Sequence, residues 1–263
     1  MSTSTKNFPS ILLCISGGQD SMALLSGMLY QRKTWINQLG ILHCQHGWTR
    51  EDLAMASQIS QVASLLAIPY YCVTTPRTLS KEQPARLWRY EAATRVANRH
   101  GYGVVVTAHT ATDTLESIIG HILRGGGVGA LSSLTSSSII SYIWTGGVLG
   151  SEEWGREGVD LVSWRAYLPL SLARPTHRVR RRTLTAWGQR WKLPIYPDPI
   201  HRQMQGRRNR LRYELLPYLE THWNPATESS LTNICTLVEQ EILYLRKIIE
   251  RIEADQQESP TEA

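Results

Sequence analysis

Ile11-Leu12-Leu13-Cys14-Ile15 followed by Ser16-Gly17-Gly18-Gln19-Asp20-Ser21 is the stretch that decides the fold. Five apolar residues without polar alternation predict a strand buried on both faces. An apolar helical pattern follows from residue 22 to residue 30. Two glycines between a strand and a helix let the backbone approach an anion closely and take positive φ. The helix that follows turns its unpaired N–H groups and positive dipole end toward the same point. The hydroxyls of Ser16 and Ser21 can add hydrogen bonds. Asp20 is the odd member, because a carboxylate beside a phosphate repels it unless it binds a metal or only caps the helix. Gly-Gly alone would mark an ordinary tight turn. The whole six-residue string in this setting marks an anion site. The pattern G-x-x-x-x-G-K-[ST] occurs nowhere in the chain, which excludes a phosphate loop of the kinase or GTPase type.

Working outward, strand and helix patterns alternate. Residues 39–44, 69–74 and 104–108 read as strands. Residues 52–67 read as a helix with Leu53, Ala56, Ile59 and Ala63 on one face, and residues 84–100 as a helix with Pro84 at its start and Gly101 past its end. Residues 112–124 read as a further helix. This order predicts an α/β fold: an open parallel sheet with helices on both faces, followed by a small, mainly helical basic subdomain. From 125 to 158 Gly, Ser and Thr dominate, and only 139–144 reads as a strand. Leu231, Ile234, Val238, Leu245, Ile248 and Ile252 form one stripe of an amphipathic helix over 227–252. The predicted organisation is a nucleotide-binding domain at 1–133, a linker or insertion at 134–173 that could complete it, a basic helical region at 174–253 and a frayed tail at 254–263.

Charge is uneven. Residues 174–212 hold twelve Lys or Arg and one acid, Asp198, a net +11. The other residues hold sixteen basic and twenty-one acidic side chains, a net −5. A basic block on a mildly acidic body is the footprint of a polyanion site, with a solvated basic face as the plain alternative. No apolar run is long enough to span a membrane, and the polar first ten residues lack a signal-peptide layout. Cys14, Cys44, Cys72 and Cys235 form no C-x-x-C pair, so zinc or iron–sulfur ligation is not expected; buried thiols in a reducing compartment are.

The loop string resembles the S-G-G-x-D-S motif of the PP-loop ATP pyrophosphatase class. Further segments single out the tRNA(Ile)-lysidine synthetase family. His43-Cys44-Gln45-His46-Gly47 resembles H-x-[DN]-H-G, and Ala85-Arg86-Leu87-Trp88-Arg89-Tyr90 resembles A-R-x-x-R-Y. Thr107-Ala108-His109 with Asp113, Glu116 and Ser117 resembles T-A-H-x-x-x-D-x-x-E-T. Arg124-Gly125-Gly126-Gly127 with Gly129 and Leu131 resembles R-G-x-G-x-x-G-L. Arg174-Pro175 with Arg181 resembles R-P-L-L-x-x-x-R, and Arg208-Asn209-Arg210-Leu211-Arg212 with Leu216-Pro217 resembles R-N-x-[IL]-R-x-x-x-[IL]-P. Six such segments in the family's order make coincidence implausible. The sequence departs from the family at Gln45, where Asp or Asn is usual, at Thr112 and Thr114 in an otherwise acidic stretch, at Thr49, and at Ile200-His201.

The resemblance implies ATP-dependent joining of free L-lysine to carbon two of the wobble cytidine of an isoleucine tRNA with a CAU anticodon. The intermediate is adenylated, and decoding changes from AUG to AUA. It implies that Ser16, Gly17, Gly18, Gln19, Asp20, Ser21 and His109 bind ATP, and that Asp20, Asp113, Glu116 and Arg181 are catalytic. It also implies that Asp20, Asp113 and Glu116 hold Mg2+, and that Arg86, Arg89, Arg174, Arg181, Arg208 and Arg212 meet tRNA. Spacing agrees in part, since Asp113 and Glu116, three apart on a helix after a strand end, face the same way. A capping Asp with a surface Glu is the alternative. The same spacing sends Arg208 and Arg212 one way and Arg210 another, making Arg210 the one expected to pack the subdomain. A larger C-terminal tRNA-binding domain is not expected. The family's compartments make a bacterial cytoplasm the expected location, with a plastid stroma second. Rival readings are a PP-loop tRNA thiolase, an amide-forming small-molecule ligase and a degenerate member that binds tRNA without catalysis.

Overall fold

The computed structural model describes residues 10–30, 39–45, 51–75, 82–125, 137–139, 170–196 and 207–258. The chain forms two compact units, residues 1–110 with 136–198 and residues 111–135 with 199–263.

In the first unit, strands β1 (Ile11–Cys14), β2 (Leu39–Gln45), β3 (Tyr70–Thr74), β4 (Val104–Val106), β5 (Ser137–Ile139) and β6 (Ser171–Ala173) make one sheet ordered β3-β2-β1-β4-β6-β5. Every pairing is parallel except the antiparallel β5–β6 edge. Strand β1 is central, with Leu13 opposite Ile41 on one side and Val106 on the other. Its residues alternate between two cores. Ile11, Leu13 and Ile15 face helices α1 (Gln19–Tyr30) and α2 (Glu51–Leu65), against Met22, Leu25, Ile59 and Ala63. Leu12 faces helix α3 (Glu82–His100), against Tyr90, Ala93 and Ala97. Leu12 and Leu13 have no exposed surface. Burial of that kind contributes about 1.5–3 kcal/mol per side chain and explains the unbroken apolar run. The sheet therefore carries helices on both faces, as its strand and helix order predicts.

The second unit holds helix α4 (Ala111–Ile122) and the C-terminal helices. Helix α5 (Arg181–Arg190) belongs to the first unit and packs on α1. Helix α6 (Arg207–Arg210) runs through a π turn, Leu211–Leu215, into α7 (Leu216–His222), and α8 (Thr227–Glu258) follows. Thr112 Oγ1 donates to Glu228 at 2.6 Å, tying α4 to the first turn of α8. Among the described residues no helix is long and apolar enough to cross a membrane.

Several boundaries differ from the sequence reading. The division falls after Thr110, so α4 groups with the C-terminal helices and 174–198 with the sheet. The reason is pairing across the chain, described below. Strand β6 was read as linker because Ser171-Leu172-Ala173 shows no pattern of its own; it exists by hydrogen bonding to β4. The strand expected at 139–144 is Ser137–Ile139, and 140–144 lies outside the described residues. Helix α8 runs to Glu258, past the start of the expected frayed tail at 254. The motif residues His46, Gly47, Thr49, Gly126, Gly127, Gly129, Leu131, Asp198, Ile200 and His201 also lie outside the described residues.

Candidate active site

The chain leaves β1 at Ile15 and enters α1 at Gln19 through Ser16, Gly17 and Gly18. Gly17 has φ +84°, a left-handed conformation that a side chain penalises. A Cβ there would also lie 2.8 Å from Met55 Cγ on α2. The loop is held by its own serines. The Ser16 N–H donates to Ser21 Oγ at 3.2 Å, the Ser21 hydroxyl donates to Gly18 O at 2.9 Å, and the Gly18 N–H reaches Ser16 Oγ at 3.4 Å. The two serine hydroxyl oxygens lie 3.2 Å apart. The result is a preformed turn at a helix N-terminus, the arrangement that receives phosphate.

Residues distant in sequence complete this turn. Gln19 Nε2 donates to Thr185 Oγ1 at 2.7 Å, and Trp187 Nε1 donates to Ser26 Oγ at 3.2 Å, so α5 is pinned to α1. The Tyr196 N–H donates to Gly17 O at 3.0 Å. Arg181 Nε stands 3.6 Å from Asp20 Oδ2, both side chains about a fifth exposed. Met55, Thr185, Trp187 and Tyr196 carry no motif signal; only the packing of α2 and α5 onto α1 identifies them.

At the carboxyl ends of β4 and β6 a second group gathers within the same unit. Thr107 Oγ1 and His109 Nδ1 are 3.0 Å apart, and Thr176 Oγ1 donates to His109 O at 2.8 Å. Arg174, expected on a tRNA-facing surface, is only 5% exposed, and its Nη2 reaches Tyr90 Oη at 3.5 Å. The Arg86 guanidinium stands 5.7 Å from the centre of the Tyr90 ring. Burial pushes the Tyr90 phenol up, but the Arg86 and Arg174 cations outweigh it and hold it below its ordinary value. Trp88 is buried, so it offers no stacking face, whereas Arg89 is exposed.

The acidic pair of α4 forms a third group, in the second unit. Arg212 Nη2 donates to Asp113 Oδ1 at 2.7 Å and Arg212 Nε to Glu116 Oε1, while Arg208 Nε donates to Glu116 Oε2 at 3.2 Å. Arg208 Nη2 also donates to Ser117 Oγ at 3.3 Å. The Glu116 side chain has no exposed surface. Burial pushes its carboxyl above the usual range, and the two guanidiniums pull against that shift. Arg208 and Arg212 do point the same way, but inward, and Arg212 is 13% exposed. Arg210, expected to pack, has a 70% exposed side chain beside Glu214. Both expectations reverse because the pair meets carboxylates that Arg210 cannot reach.

A magnesium ion needs oxygen atoms it can coordinate. Glu116 does not fit that need, since both oxygens accept from guanidiniums and the side chain is sealed. Asp113 is committed to Arg212. Asp20, at the loop with Arg181 Nε 3.6 Å from its Oδ2, has the oxygen chemistry the ion needs. Among the described residues no group of three or more His, Cys, Asp and Glu side chains could hold a metal ion.

Two outcomes test these assignments. Gly17→Val forces a side chain into positive φ and against Met55, and calorimetry should show ATP affinity reduced at least about tenfold, with the circular dichroism spectrum retained. Wild-type affinity would remove the loop from the site. Glu116→Ala leaves Arg208 and Arg212 without their buried acceptor, and urea unfolding should show a loss of about 3–5 kcal/mol. Unchanged stability together with a raised magnesium requirement would return Glu116 to the metal.

Residues 2–219 match the PP-loop domain family. The chain is 34% identical over 253 residues to the chloroplastic tRNA(Ile)-lysidine synthase of Zygnema circumcarinatum, covering 92% of this chain and 60% of that protein. It is 29% identical to the tRNA(Ile)-lysidine synthase of a Nostoc species, covering 94% and 65%, and 32% identical to that of a Synechocystis species, covering 90% and 66%. The chain thus spans less than two thirds of the length of these relatives. A solved structure, the U34-tRNA thiolase NcsA from Methanococcus maripaludis with its [4Fe-4S] cluster, superposes with a TM-score of 0.64 at 14% identity, covering 89% of this chain and 74% of that one. That likeness concerns the fold. With a parallel sheet, a serine-braced Gly-Gly turn at the mouth of α1 and a family match across most of its length, this chain belongs to the PP-loop domain family.

Proposed function

We propose that this chain joins free lysine to carbon two of the wobble cytidine of an isoleucine tRNA with a CAU anticodon, using ATP and forming lysidine. The observation that carries the proposal is the S-G-G-x-D-S turn, braced at the N-terminus of α1, in a chain 34% identical to a chloroplastic tRNA(Ile)-lysidine synthase. In the first step the oxygen on carbon two of the cytidine attacks the α-phosphorus of ATP, and pyrophosphate leaves. In the second, an amine of lysine attacks carbon two, and AMP leaves. The backbone N–H groups of the turn at the mouth of α1, with the Ser16 hydroxyl, meet the departing pyrophosphate, while Ser21 braces the turn from within. Stabilising charge as it develops is usually the largest catalytic contribution. Asp20 is the carboxylate assigned to magnesium, which neutralises phosphate charge when bound. His109 and Arg181 border the nucleotide. A bacterial cytoplasm or a plastid stroma suits the reaction, since the relatives include cyanobacterial and chloroplastic proteins.

The exposed charge of the basic segment supports a tRNA partner, with Arg89 still exposed but Arg174, Arg208 and Arg212 engaged with protein partners. Arg178, Arg182, Arg190 and Lys192 are exposed, and the Arg190 guanidinium stands 6.0 Å from the centre of the exposed Trp191 ring. Cations beside an aromatic face are the combination that holds single-stranded RNA. The thiolase reading is weaker. Burial pushes the Cys44 thiol up to about 12 and the Cys14 thiol further up, so neither is a ready thiolate. Cys72, expected to be buried, is exposed.

Incubating the protein with ATP, lysine and an isoleucine tRNA transcript should give lysidine, detected by nucleoside mass spectrometry, with one AMP released per modified tRNA. Thiolated uridine instead would favour the thiolase, and tRNA binding with no product would mark a non-catalytic binder. In filter-binding titrations, Arg182→Ala and Arg190→Ala should each weaken tRNA binding by roughly tenfold and shallow the salt dependence by about one phosphate contact. Slopes equal to wild type would move the RNA surface away from α5.

A further inference from the structure

His43, on β2, is only 3% exposed, and no step of the proposed reaction uses it. Its Nδ1 lies 2.9 Å from the carbonyl oxygen of Ile15. A carbonyl can only accept, so Nδ1 carries the proton, and Nε2 of the neutral ring is a bare acceptor. Burial lowers the basicity of the ring, in keeping with that neutral form. Nε2 is itself buried and has no hydrogen-bond partner among the described residues.

The Nδ1–H holds the last peptide before the loop. The Ile15 carbonyl and the Ser16 N–H are the two ends of one planar peptide. His43 grips its oxygen at 2.9 Å, and Ser21 Oγ accepts from its N–H at 3.2 Å. The Ser21 hydroxyl then donates to Gly18 O at 2.9 Å, and the Ile15 N–H is held by Leu42 O at 2.9 Å. A continuous line of hydrogen bonds therefore runs from β2 through the last peptide before the loop to the first turn of α1, and such chains polarise one another. Rotating that peptide would redirect every N–H group of the loop.

We infer that His43 is a positioning residue of the phosphate loop, its Nδ1–H and the Ser21 hydroxyl fixing the Ile15–Ser16 peptide plane so that the loop N–H groups meet the departing pyrophosphate. This rests on the reading that the loop holds ATP. Three variants separate the two ring nitrogens. His43→Asn keeps an N–H where Nδ1 stands and lacks Nε2. His43→Gln sets its amide at the place of Nε2 and leaves the Ile15 carbonyl without its donor. His43→Leu removes both. With the lysidine-forming assay as readout, Gln and Leu should lower kcat roughly a hundredfold with the KM for tRNA unchanged, whereas Asn should stay within about threefold of wild type. Rescue by Gln and not by Asn would overturn the proposal in favour of direct contact through Nε2. Equal losses in all three, accompanied by lowered melting temperature and weakened tRNA binding, would reduce His43 to a packing role, as would three variants equal to wild type. If Leu fails to fold, the Asn and Gln pair still decides. A wild-type protein that consumes no ATP would sink the ligase reading alone. Calorimetric ATP–magnesium affinity, expected to fall in Gln and persist in Asn, then judges His43 separately.

Discussion

One peptide, between Ile15 and Ser16, is where the sheet hands the chain to the loop, and the site depends on how that peptide is held. Its carbonyl is fixed from β2 by His43 and its N–H from α1 by Ser21. Beyond it, Gly17 turns at φ +84° beneath Met55. A strand buried on both faces cannot shift along its axis without exposing Leu12 or Leu13 to water. The loop is therefore anchored to the central, buried strand of the sheet, and its turn is braced by its own serines. Preorganisation of that kind is what makes backbone donors effective against developing charge.

Charge in this protein has two different tasks. In the first unit Arg178, Arg182, Arg190 and Lys192 stay in solvent, beside Trp191. In the second unit Arg208 and Arg212 turn inward onto Glu116 and Asp113. A buried ion pair contributes little over a well-packed hydrophobic replacement, but breaking it from one side leaves a stranded charge. Two guanidiniums, Arg208 and Arg212, satisfy both oxygens of the sealed Glu116 carboxylate of α4. The π turn at Leu211–Leu215 sits in that segment, directly after Arg210. Irregular turns of this kind are kept where side chains must be aimed.

A thiolase-like fold does not by itself carry thiolase chemistry. A parallel sheet and a phosphate-accepting turn are compatible with several reactions on an adenylated RNA base. Cysteine chemistry needs accessible thiolates: burial raises the thiols of Cys14 and Cys44, whereas Cys72 is exposed. The fold supplies the phosphate-accepting turn, and a reaction has to be argued from the side chains around it.

The phosphate turn and the parallel sheet are legible in the sequence because their determinants are contiguous. A run of five apolar residues, two glycines and a helix start act through backbone geometry within about ten residues of each other. Strand β6 was not legible, since three short residues become a strand only by pairing with β4. The direction of each arginine was not legible either. Arg208, Arg210 and Arg212 look alike in the chain, and spacing tells only that two of them diverge from the third. Which side is inside depends on carboxylates 92 to 99 residues away. His43 shows the same limit, because its partner Ile15 is 28 residues distant, just past the end of the neighbouring strand β1. Local backbone preferences are properties of a short segment and can be read from it. Burial and hydrogen-bond pairing are properties of two segments brought together, and only the tertiary structure brings them.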